Sequence, residues 1–564
     1  MTSPPPRAVA PFVVLATVLP AVFVQLIDVS IVNVGIPSIQ RELGASYAQI
    51  QLVLTGYQLA FACVLITAAR LGDILGRRRV YLVGMAGFTA TSALCAMAPT
   101  PEVLIVGRVL QGLASGTMFP QVISIIQVTF PPAERGKAFG IYGATLGLAA
   151  ITGPLLGGVL LALDPAGLGW RSLFYVNLPI GIAATIAAAR NLPESRAPEG
   201  RRLDLPGAAL ATVGLFCLVF PLTEGRERGW PSWVFAMLAA SALALVWFAL
   251  MQRRKTGAGG SPLVYTTLFR HASFRRGLAF AALFSSSIPS FFFILTLHLQ
   301  IGLRFTALHA GLTTLPFSIG SMLSSLGSNR LVERFGGRVL QAGCACFLAA
   351  MILVWVVVGL FGAELSSLHL TAAVLLAGVG LGLTMPPMTN VVLGSIEGRE
   401  VGSASGLLST CQQVGGALGV TAIGIAFFTI LPLHADRALD RVVPALDERL
   451  VAAGLSPDAA TDVSSRFAAC FAARARAPDP GAHPPECEPP AGAAAPRADD
   501  PAEKAVGGFA LPLALGRSFA GAFRGALLYP IACLVLCLLI SFSLPRSPGR
   551  SDPAGAGPGT GGEA

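Results

Sequence analysis

The chain has 564 residues, of which 54% are hydrophobic and only 12% are charged, and its mean hydropathy is +0.70. This composition excludes a water-soluble globular protein, because such long apolar stretches are typical of transmembrane helices. The formal net charge of +10 comes largely from Lys and Arg in the segments between apolar stretches. It therefore indicates membrane orientation and does not predict nucleic-acid binding.

Fourteen apolar stretches reach, or nearly reach, the ~20 residues that an α-helix needs to cross a bilayer. They lie near 11–37, 48–69, 80–98, 103–127, 138–161, 172–190, 206–223, 232–251, 276–298, 309–328, 339–361, 369–393, 402–431 and 522–544. The first is too long, and too polar at Asp28, to be a cleaved signal peptide. The predicted fold class is therefore an all-α polytopic membrane protein surrounded by a lipid bilayer.

Basic residues are divided unevenly between the two sides of the predicted membrane. The segments on the side of the N-terminus carry most of them, whereas the short loops on the other side carry only Arg41, Arg171, Arg226, Arg228 and Arg304. By the positive-inside rule, both termini are predicted to be cytoplasmic, in a multi-pass protein of the cytoplasmic membrane.

Asp28 is the only carboxylate deep inside a predicted span. Because a charge at mid-bilayer is costly, it favours a proton relay or a water-filled path over the alternative, a permanent ion pair. Gln25 lies one turn away on the same face. The run from Leu26 to Pro37 resembles the helix-1 motif L-x-D-x-[TS]-[IV]-[VL]-N-V-A-L-P of fourteen-span antiporters. The resemblance implies that Asp28 takes up a proton or meets a cationic substrate; Gln25 and Asn33 are predicted to line the substrate cavity.

A polar turn with an acidic residue, two glycines and an arginine triplet separates the second and third spans. Arg77 lies one helical turn beyond Asp73, so a helical continuation pairs them, and the carboxylate is also free to cap a neighbouring helix. A positive-inside anchor, the alternative, requires the arginines alone. The turn resembles the major facilitator superfamily signature G-x-L-[AG]-D-x-x-G-R-[RK]-[RK], which implies a loop that gates the movement of two halves. The matching residues are Leu71, Gly72, Asp73, Gly76, Arg77 and Arg78, with departures at Ala69 and Ile74.

Arg108, in the fourth span, is the predicted partner of Asp28. Helices 1 and 4 run in opposite directions, which places the two residues at depths within ~10 Å of each other. Protonation of Asp28 would free Arg108, and re-pairing would reset the site. Gln111 shares the face of Arg108 and is predicted to line the cavity. The stretch resembles the helix-4 motif R-x-x-Q-G of the same superfamily, which is tied to proton coupling there.

The fifth span carries a stripe of small residues with one proline. Glycines alone would indicate close helix packing, the alternative explanation. The spacing resembles the motif G-x8-[GA]-x3-G-P-x2-G-G of the drug-efflux branches, with Ala149 in the second position, which favours export over uptake. The motif residues are Gly140, Gly153, Pro154, Gly157 and Gly158.

Four further polar positions lie near the ends of spans. His298 and Gln300, at the outer end of the ninth span, are predicted to contribute to the substrate cavity, although an interfacial position is the expected alternative for His298. Glu224 and Glu364 lie at span ends, where water can solvate a carboxylate, so no functional role is assigned to them.

The polar turn recurs 260 residues later, from Arg330 to Arg338, and aligns Asp73 with Glu333 and Gly76 with Gly336. The repeat predicts a major facilitator fold of two six-helix halves with two inserted helices, and fourteen spans resemble the drug:proton antiporter branch (EmrB/QacA type). The predicted divisions are 1–190 (first half), 191–260 (linker and inserted helices), 261–431 (helices 9–13), 432–521 (external loop), 522–545 (helix 14) and 546–564 (disordered cytoplasmic tail).

The external segment 432–521 has two parts. Residues 434–475 are amphipathic at helical spacing, and the Pro/Ala-rich stretch from Ala477 to Ala502 is predicted to be poorly ordered. A helical hairpin is expected, acting either as a lid or as a tolerated insertion. Cys470 and Cys487 lie here, outside the apolar spans that hold the other cysteines, and a disulfide between them is left open.

The sequence lacks the motifs of several other classes of protein. The Gly136-Lys137 pair has Pro131 five residues before it, so no phosphate-binding loop forms, and no H-E-x-x-H or G-x-S-x-G motif is present. The chain is therefore predicted not to be an enzyme and to need no cofactor or metal. It is predicted to act as a monomer that exports small amphipathic molecules, neutral, zwitterionic or monocationic, against protons. The alternatives are a nutrient symporter, a lipid or siderophore exporter, and a non-transporting sensor.

Overall fold

The computed structural model describes residues 10–45, 47–196, 203–225, 228–258, 260–394, 396, 400–477, 484–488 and 501–544. All regular secondary structure among these residues is helical, which confirms the predicted fold class. Several helices begin with proline in their first two positions, where the missing N–H has no helical partner to lose. The predicted tail 546–564 lies outside the described residues.

The first six-helix half and the two inserted helices occupy the region before residue 258. The helices are α1 (Pro11–Leu43), α2 (Tyr47–Leu75), α3 (Arg77–Ala96), α4 (Pro101–Thr129), α5 (Pro132–Leu163), α6 (Ser172–Tyr175), α7 (Asn177–Asn191), α8 (Leu205–Glu224) and α9 (Ser232–Gly257). The short helix α6 and α7 together form the sixth predicted span, interrupted only at Val176.

The second half, together with the segment 432–521, contains nine further α-helices among the described residues. They are α10 (Ala272–Leu297), α11 (Ala307–Phe335), α12 (Arg338–Phe361), α13 (Ser367–Leu393), α14 (Val401–Ala452), α15 (Pro457–Arg476), α16 (Pro501–Ala505), α17 (Leu511–Ala526) and α18 (Leu528–Ser541). A π-helical turn, Val506–Ala510, joins α16 to α17.

Thirteen helical segments among the described residues are long and apolar enough to cross a membrane. Helix α11, in the place of the predicted span 309–328, is not one of them, although it has 29 residues. Its sequence includes a series of serines and threonines between Thr313 and Ser328, which lowers its hydropathy. A fourteenth crossing therefore stays a prediction.

The two halves repeat the same helix pairings. In the first half, α2 and α3 pack against α4, and α1 packs against α5 and α7. In the second half, α11 and α12 pack in the same way against α13, and α10 packs against α14 and α18. The inserted helices α8 and α9 pack against each other, and α8 contacts α2 and α14. The internal sequence repeat is thus also a repeat of structure.

The halves meet mainly through two symmetric contacts, α2 with α14 and α5 with α11, and further contacts join α5 to α13 and α4 to α14. We call the end of the bundle that carries Arg77, Arg78 and Arg79 the basic end, and the opposite end the far end. The named contacts between halves run from the basic end to the middle of the helices. They include a hydrogen bond between the Ser124 and Ser405 hydroxyls (2.7 Å) and one from Gln127 Nε2 to the Leu393 carbonyl (2.7 Å). The basic end is therefore closed in this conformation.

The segment 432–521 differs from the prediction of an external loop. Helix α14 passes through position 432 without a break and continues to Ala452, and the last predicted span, 522–544, is preceded by helix from Pro501 onward. The extension of α14 packs against α15 around Leu446, Leu450 and Phe471, which form a small apolar core of their own. Within the predicted disordered stretch 477–502, residues 478–483 and 489–500 lie outside the described residues.

A polar cluster joins the linker between the halves to the inserted helices at the basic end. Asp204 caps α8 by accepting a hydrogen bond from the backbone of Gly207 (2.9 Å), and it also accepts from Gln252 Nε2 (2.7 Å) and Lys255 Nζ (2.5 Å). Burial alone would raise the pKa of Asp204, but the hydrogen bonds from Lys255, Gln252 and Gly207 outweigh it and lower this pKa below its usual value.

Candidate functional site

Asp28 is the centre of a buried polar network inside the first half. Its Oδ2 accepts a hydrogen bond from Arg108 Nη1 at 2.5 Å, so the predicted ion pair is present. Its Oδ1 accepts from Gln111 Nε2 (3.0 Å) and from Asn177 Nδ2 (2.9 Å). Three donors thus satisfy the carboxylate, as a buried charge requires. Asp28 is 0% exposed, so it does not line a water-filled path in this conformation, contrary to that part of the prediction.

The guanidinium of Arg108 is held as firmly as its partner. It donates to Gln111 Oε1 (2.6 Å) and, through Nε, to the Val53 carbonyl (3.3 Å). Its Cζ atom lies 4.2 Å from the centroid of the Tyr57 ring, within the range of a cation–π contact. The pair therefore joins α1, α2 and α4, and a change in its charge would act on all three helices.

Sequence reasoning missed two members of this network. Asn177, at the start of α7, donates to both Asp28 Oδ1 and Ser92 Oγ (3.1 Å), and Ser92 donates to the Phe174 carbonyl (3.0 Å). The only available signal was an amide within the apolar stretch 172–190. Gln25 is buried and interacts with the Tyr57 hydroxyl, so it borders the network.

The remaining predicted cavity residues do not come together. Asn33 is exposed and donates only to the Val29 carbonyl of its own helix. His298 is completely buried, and its ring stacks on that of Phe523 with 5.2 Å between the two centroids. Its neighbour Gln300 is exposed. A single cavity formed by all five predicted residues is therefore not present in this conformation.

Asp73 connects the first half to the second at the basic end. Its Oδ1 accepts from Arg77 Nη2 at 2.7 Å, which is the ion pair predicted from the spacing. Its carboxylate also lies against Gly402 at the N-terminus of α14, where a Cβ would fall 2.0 Å from Oδ2. The positive end of a helix attracts an anion, so the Asp73 carboxylate helps to hold the basic end closed through its contact with the N-terminus of α14 in the other half.

We call the contact between Asp73 and Gly402, at the N-terminus of α14, the latch. Neighbouring residues hold it in place. Arg70 donates to the Tyr265 hydroxyl (3.2 Å), and the Tyr265 backbone N–H donates to Ser403 Oγ (3.2 Å) on α14. Gly72 contacts Gln121, where a Cβ would lie 1.9 Å from Oε1. The predicted loop residue Leu71 is half-buried beside these contacts.

The turn itself depends on Gly76, which has φ +112°, a conformation that side chains disfavour. A Cβ at this position would lie 2.4 Å from Glu194 Oε1. Glu194, which sequence reasoning did not assign, accepts from the Arg78 backbone N–H (3.2 Å) and lies 3.6 Å from Arg79 Nε. The linker after α7 thus holds the arginine turn.

The second copy of the turn lacks a comparable latch. Gly336 repeats the positive φ, at +60°, but Glu333 accepts its hydrogen bond from Asn329 Nδ2 (2.7 Å) on the same helix, in an exposed position. The positive φ of the turn is thus repeated without its buried charge.

The glycines of α5 serve two different contacts. Gly140 faces the second half, where a Cβ would lie 2.8 Å from the Ser325 carbonyl oxygen. Gly153 and Gly157 face α1, where a Cβ would lie 1.9 Å from Ser30 Oγ and 2.9 Å from Ile31. Gly158 has no atom within 4 Å of such a Cβ, and Pro154 lies within a continuous helix. The motif therefore contains one contact between halves, two contacts within the first half and one open position.

The structure also describes two other positions discussed in the sequence analysis. Glu224 is 1% exposed and pairs with Arg228 Nη2 at 3.2 Å, so the expectation of a solvated carboxylate was wrong. Cys470 and Cys487 form a disulfide that ties α15 to the short turn Pro485–Cys487. No group of side chains suited to a metal ion occurs among the described residues.

Two parallel repeats with a buried ion pair in one of them, joined at one end through a helix-capping carboxylate, define a polytopic membrane transporter. The Major Facilitator Superfamily profile matches residues 18–420. The chain therefore belongs to the Major Facilitator Superfamily and is a multi-pass membrane transporter, not an enzyme.

Comparisons with curated proteins find similar chains in bacteria. The chain is 38% identical over 454 residues to the "Probable actinorhodin transporter" of Streptomyces coelicolor, with 80% of this chain and 78% of the relative covered. It is 35% identical to the "Cephamycin export protein CmcT" of Amycolatopsis lactamdurans (71% and 82% covered). It is 32% identical to the "Multidrug resistance protein Stp" of Mycobacterium tuberculosis (78% and 80% covered).

Solved structures show the same fold at low sequence identity. The proton:xylose symporter XylE aligns with a TM-score of 0.51 and 14% identity, covering 73% of this chain and 87% of that one. The human organic anion transporter MFSD10 aligns with a TM-score of 0.50 and 17% identity, covering 74% and 93%.

Proposed function

We propose that the protein exports small amphipathic molecules, such as antibiotics or other secondary metabolites, from the cytoplasm in exchange for protons. The direction of transport is supported by two of the relatives described above, one named as an export protein and the other as a multidrug resistance protein. The proposal places the basic end in the cytoplasm of a bacterial cell and assigns the chain to the fourteen-span drug:proton antiporter branch, working as a monomer. The closed basic end then corresponds to an outward-facing conformation.

Coupling to protons rests on the Asp28–Arg108 pair, the observation that carries the proposal. An ionised Asp28 balances the guanidinium in a region without water. Protonation would leave a buried, unbalanced positive charge, and such a charge typically costs about 3–5 kcal/mol. The first half would therefore rearrange when Asp28 takes up a proton, and the return of the ion pair would reset it.

The substrate is expected to meet other residues. Asp28 is enclosed by protein, so in this conformation it can exchange neither a proton nor a substrate directly with the outside. Proton uptake requires a conformation in which water reaches α1 and α4. Burial of Asp28 in one conformation and its access to water in another is what antiport by alternating access would require.

Proton release in everted membrane vesicles tests the proposal. The vesicles are energised to an acidic interior, puromycin or ethidium is added, and a pH-sensitive dye reports the gradient. We expect a substrate to dissipate the gradient with the wild type and not with Asp28→Asn, while Asn33→Ala, on the same helix but outside the network, retains the response. An equal response from wild type and Asp28→Asn would exclude this residue as the coupling site.

A further inference from the structure

A cavity of about 330 Å³ lies at the far end of the second half, between α12, α14 and α17. Basic side chains dominate its wall: His434, Arg437 and Arg441 come from α14, and Arg517 and Arg524 come from α17. This concentration of positive charge is outside the network of Asp28 and outside the latch of Asp73.

The cavity lies where α12 leaves the apolar part of the bundle. Val358 and Gly359, in its last turn, form part of the wall. The next residue, Leu360, is 74% exposed, and the helix ends at Phe361, which is also exposed. Exposed apolar side chains beside a charged cavity are typical of the level at which lipid chains meet their headgroups.

The arginines of the cavity have no carboxylate partners. Among the described residues, Arg437, Arg441, Arg517 and Arg524 form no ion pair, whereas Arg476 nearby pairs with Asp436 at 2.8 Å. Asp440 on α14 and Glu364 after α12 are the adjacent acidic groups; both are exposed and form no ion pair within the described part of the chain. No carboxylate of the described residues therefore neutralises the positive charges of the cavity by direct pairing, and together these charges attract an anion.

The floor of the cavity is shaped around its basic groups. Arg524 stacks on Trp355, with Cζ 4.0 Å from the ring centroid, and its buried Nε has no acceptor among the described residues. A Cβ at Gly359 would lie 2.8 Å from Arg524 Cζ, and a Cβ at Gly521 would collide with the ring of His434. Side chains at these two glycines would displace the basic groups.

We infer that this cavity binds the phosphate of an anionic phospholipid headgroup, with Arg437, Arg441 and Arg517 as its donors and Arg524 as its fixed floor. Guanidinium groups bind phosphate oxygens in pairs of parallel hydrogen bonds, which makes arginine suitable for this anion. The exposed apolar end of α12 favours a lipid source over a free anion, because acyl chains can lie against Leu360 while the headgroup enters the cavity. The site does not depend on the proposed transport mechanism.

Native mass spectrometry of the purified full-length protein in detergent tests this inference. Phosphatidylglycerol is titrated in parallel with zwitterionic phosphatidylcholine, and inorganic phosphate is added as a separate competitor. We expect selective binding of phosphatidylglycerol, weakened about fivefold by Arg437→Gln or Arg517→Gln, because each surface arginine contributes ~1 kcal/mol to binding of an anionic lipid. The double variant should lose more than about tenfold.

The matched control is Arg474→Gln on α15, because Arg474 is also exposed and forms no ion pair within the described residues. This variant should bind phosphatidylglycerol as the wild type does. Displacement of the lipid by millimolar inorganic phosphate would support the anion site with free phosphate as its ligand. Equal affinity for both lipids, or an unchanged affinity in the double variant, would overturn the inference.

Discussion

The two halves have the same helix pairings but very different charges. In the first half, Asp28 and Arg108 are buried between helices, and Asp73 is buried at the contact with the second half. In the second half, α13 contains no Asp, Glu, Lys or Arg, and α10 carries a group of serines, including Ser286, where α1 carries its carboxylate. The repeated turn follows the same division, since Glu333 is exposed where Asp73 is buried.

This difference indicates that the repeat preserves the helix pairings, whereas the buried ion pairs of Asp28 and Asp73 belong to the first copy. At the basic end, the second half offers a helix N-terminus for Asp73 to contact. A conformational change driven by protonation would thus begin in the first half and be transmitted at the basic end. The predictions below test this division.

The largest effect is expected from Arg108→Gln. This substitution leaves the Asp28 carboxylate buried without its countercharge, which should lower the free energy of unfolding by about 3–5 kcal/mol. The double variant Asp28→Asn/Arg108→Gln should recover most of that loss, whereas Ser286→Ala in the second half should cost only about 1 kcal/mol. Denaturant unfolding of the purified proteins, followed by circular dichroism, measures the coupling; additive effects of the two substitutions would contradict it.

Gly140→Ala should open the basic end. The added methyl group meets the Ser325 backbone, and overpacking of this kind costs about 1–3 kcal/mol in the closed conformation. In a Ser405→Cys background, a membrane-impermeant maleimide should label the interface cysteine at least about fivefold faster, since ~1 kcal/mol is about a fivefold change. Gly158→Ala, on the same helix with open space around it, serves as the control and should label at the original rate.

A smaller effect, on the population of the closed basic end, should distinguish Asp73 in the first copy of the turn from Glu333 in the second. Asp73→Asn removes the charge that caps α14, and a charge at a helix terminus contributes ~0.3–2 kcal/mol, equivalent to a two- to thirtyfold change in the population of the closed basic end. Glu333→Gln changes an exposed residue and should leave this population within about twofold. The same labelling assay distinguishes them, and equal effects would show that both turns act as latches.

The smallest effect at neutral pH is expected from Asp204→Asn. Lys255, its ion-pair partner, is one-third exposed, so the pair should contribute at most about 1 kcal/mol. The folded-state pKa of Asp204 is lowered, so its contribution is present above the unfolded pKa of about 3.9 and is lost as the pH falls through the folded value. Thermal unfolding should therefore show a smaller difference between wild type and variant at pH 3 than at pH 7.

The sequence was sufficient to predict the two ion pairs, but it was insufficient to predict the neutral polar residues that bond to Asp28. A charge inside an apolar span has few solutions, so Asp28 and Arg108 indicated each other, and Arg77 was one turn from Asp73. Asn177 and Ser92 gave no such signal, because a neutral polar residue in a span can bond to its own helix. Their partners are set by the packing of α3 and α7 against α1, which a single sequence does not specify.

At the far end, the sequence analysis misplaced the end of a helix. Hydropathy falls after residue 431, and the prediction ended the span there. The helical spacing of Leu439, Val442 and Leu446 was recognised, but its continuity with α14 was not. The helix continues because these side chains pack in an apolar core with α15, which replaces the bilayer as their surroundings.

Because α14 is so long, it can act as a lever. At ~1.5 Å per residue, its 52 residues extend for roughly 80 Å, and about 30 Å of that lies beyond Pro432. A tilt of α14 by roughly 10° about its N-terminus at the latch would displace its other end, roughly 75 Å away, by about 13 Å. The hairpin formed by the end of α14 and by α15 would thus amplify a small tilt of α14 that begins at the Asp73 contact. A pair of spin labels, one on α15 and one on the first half, would follow this motion during the transport cycle.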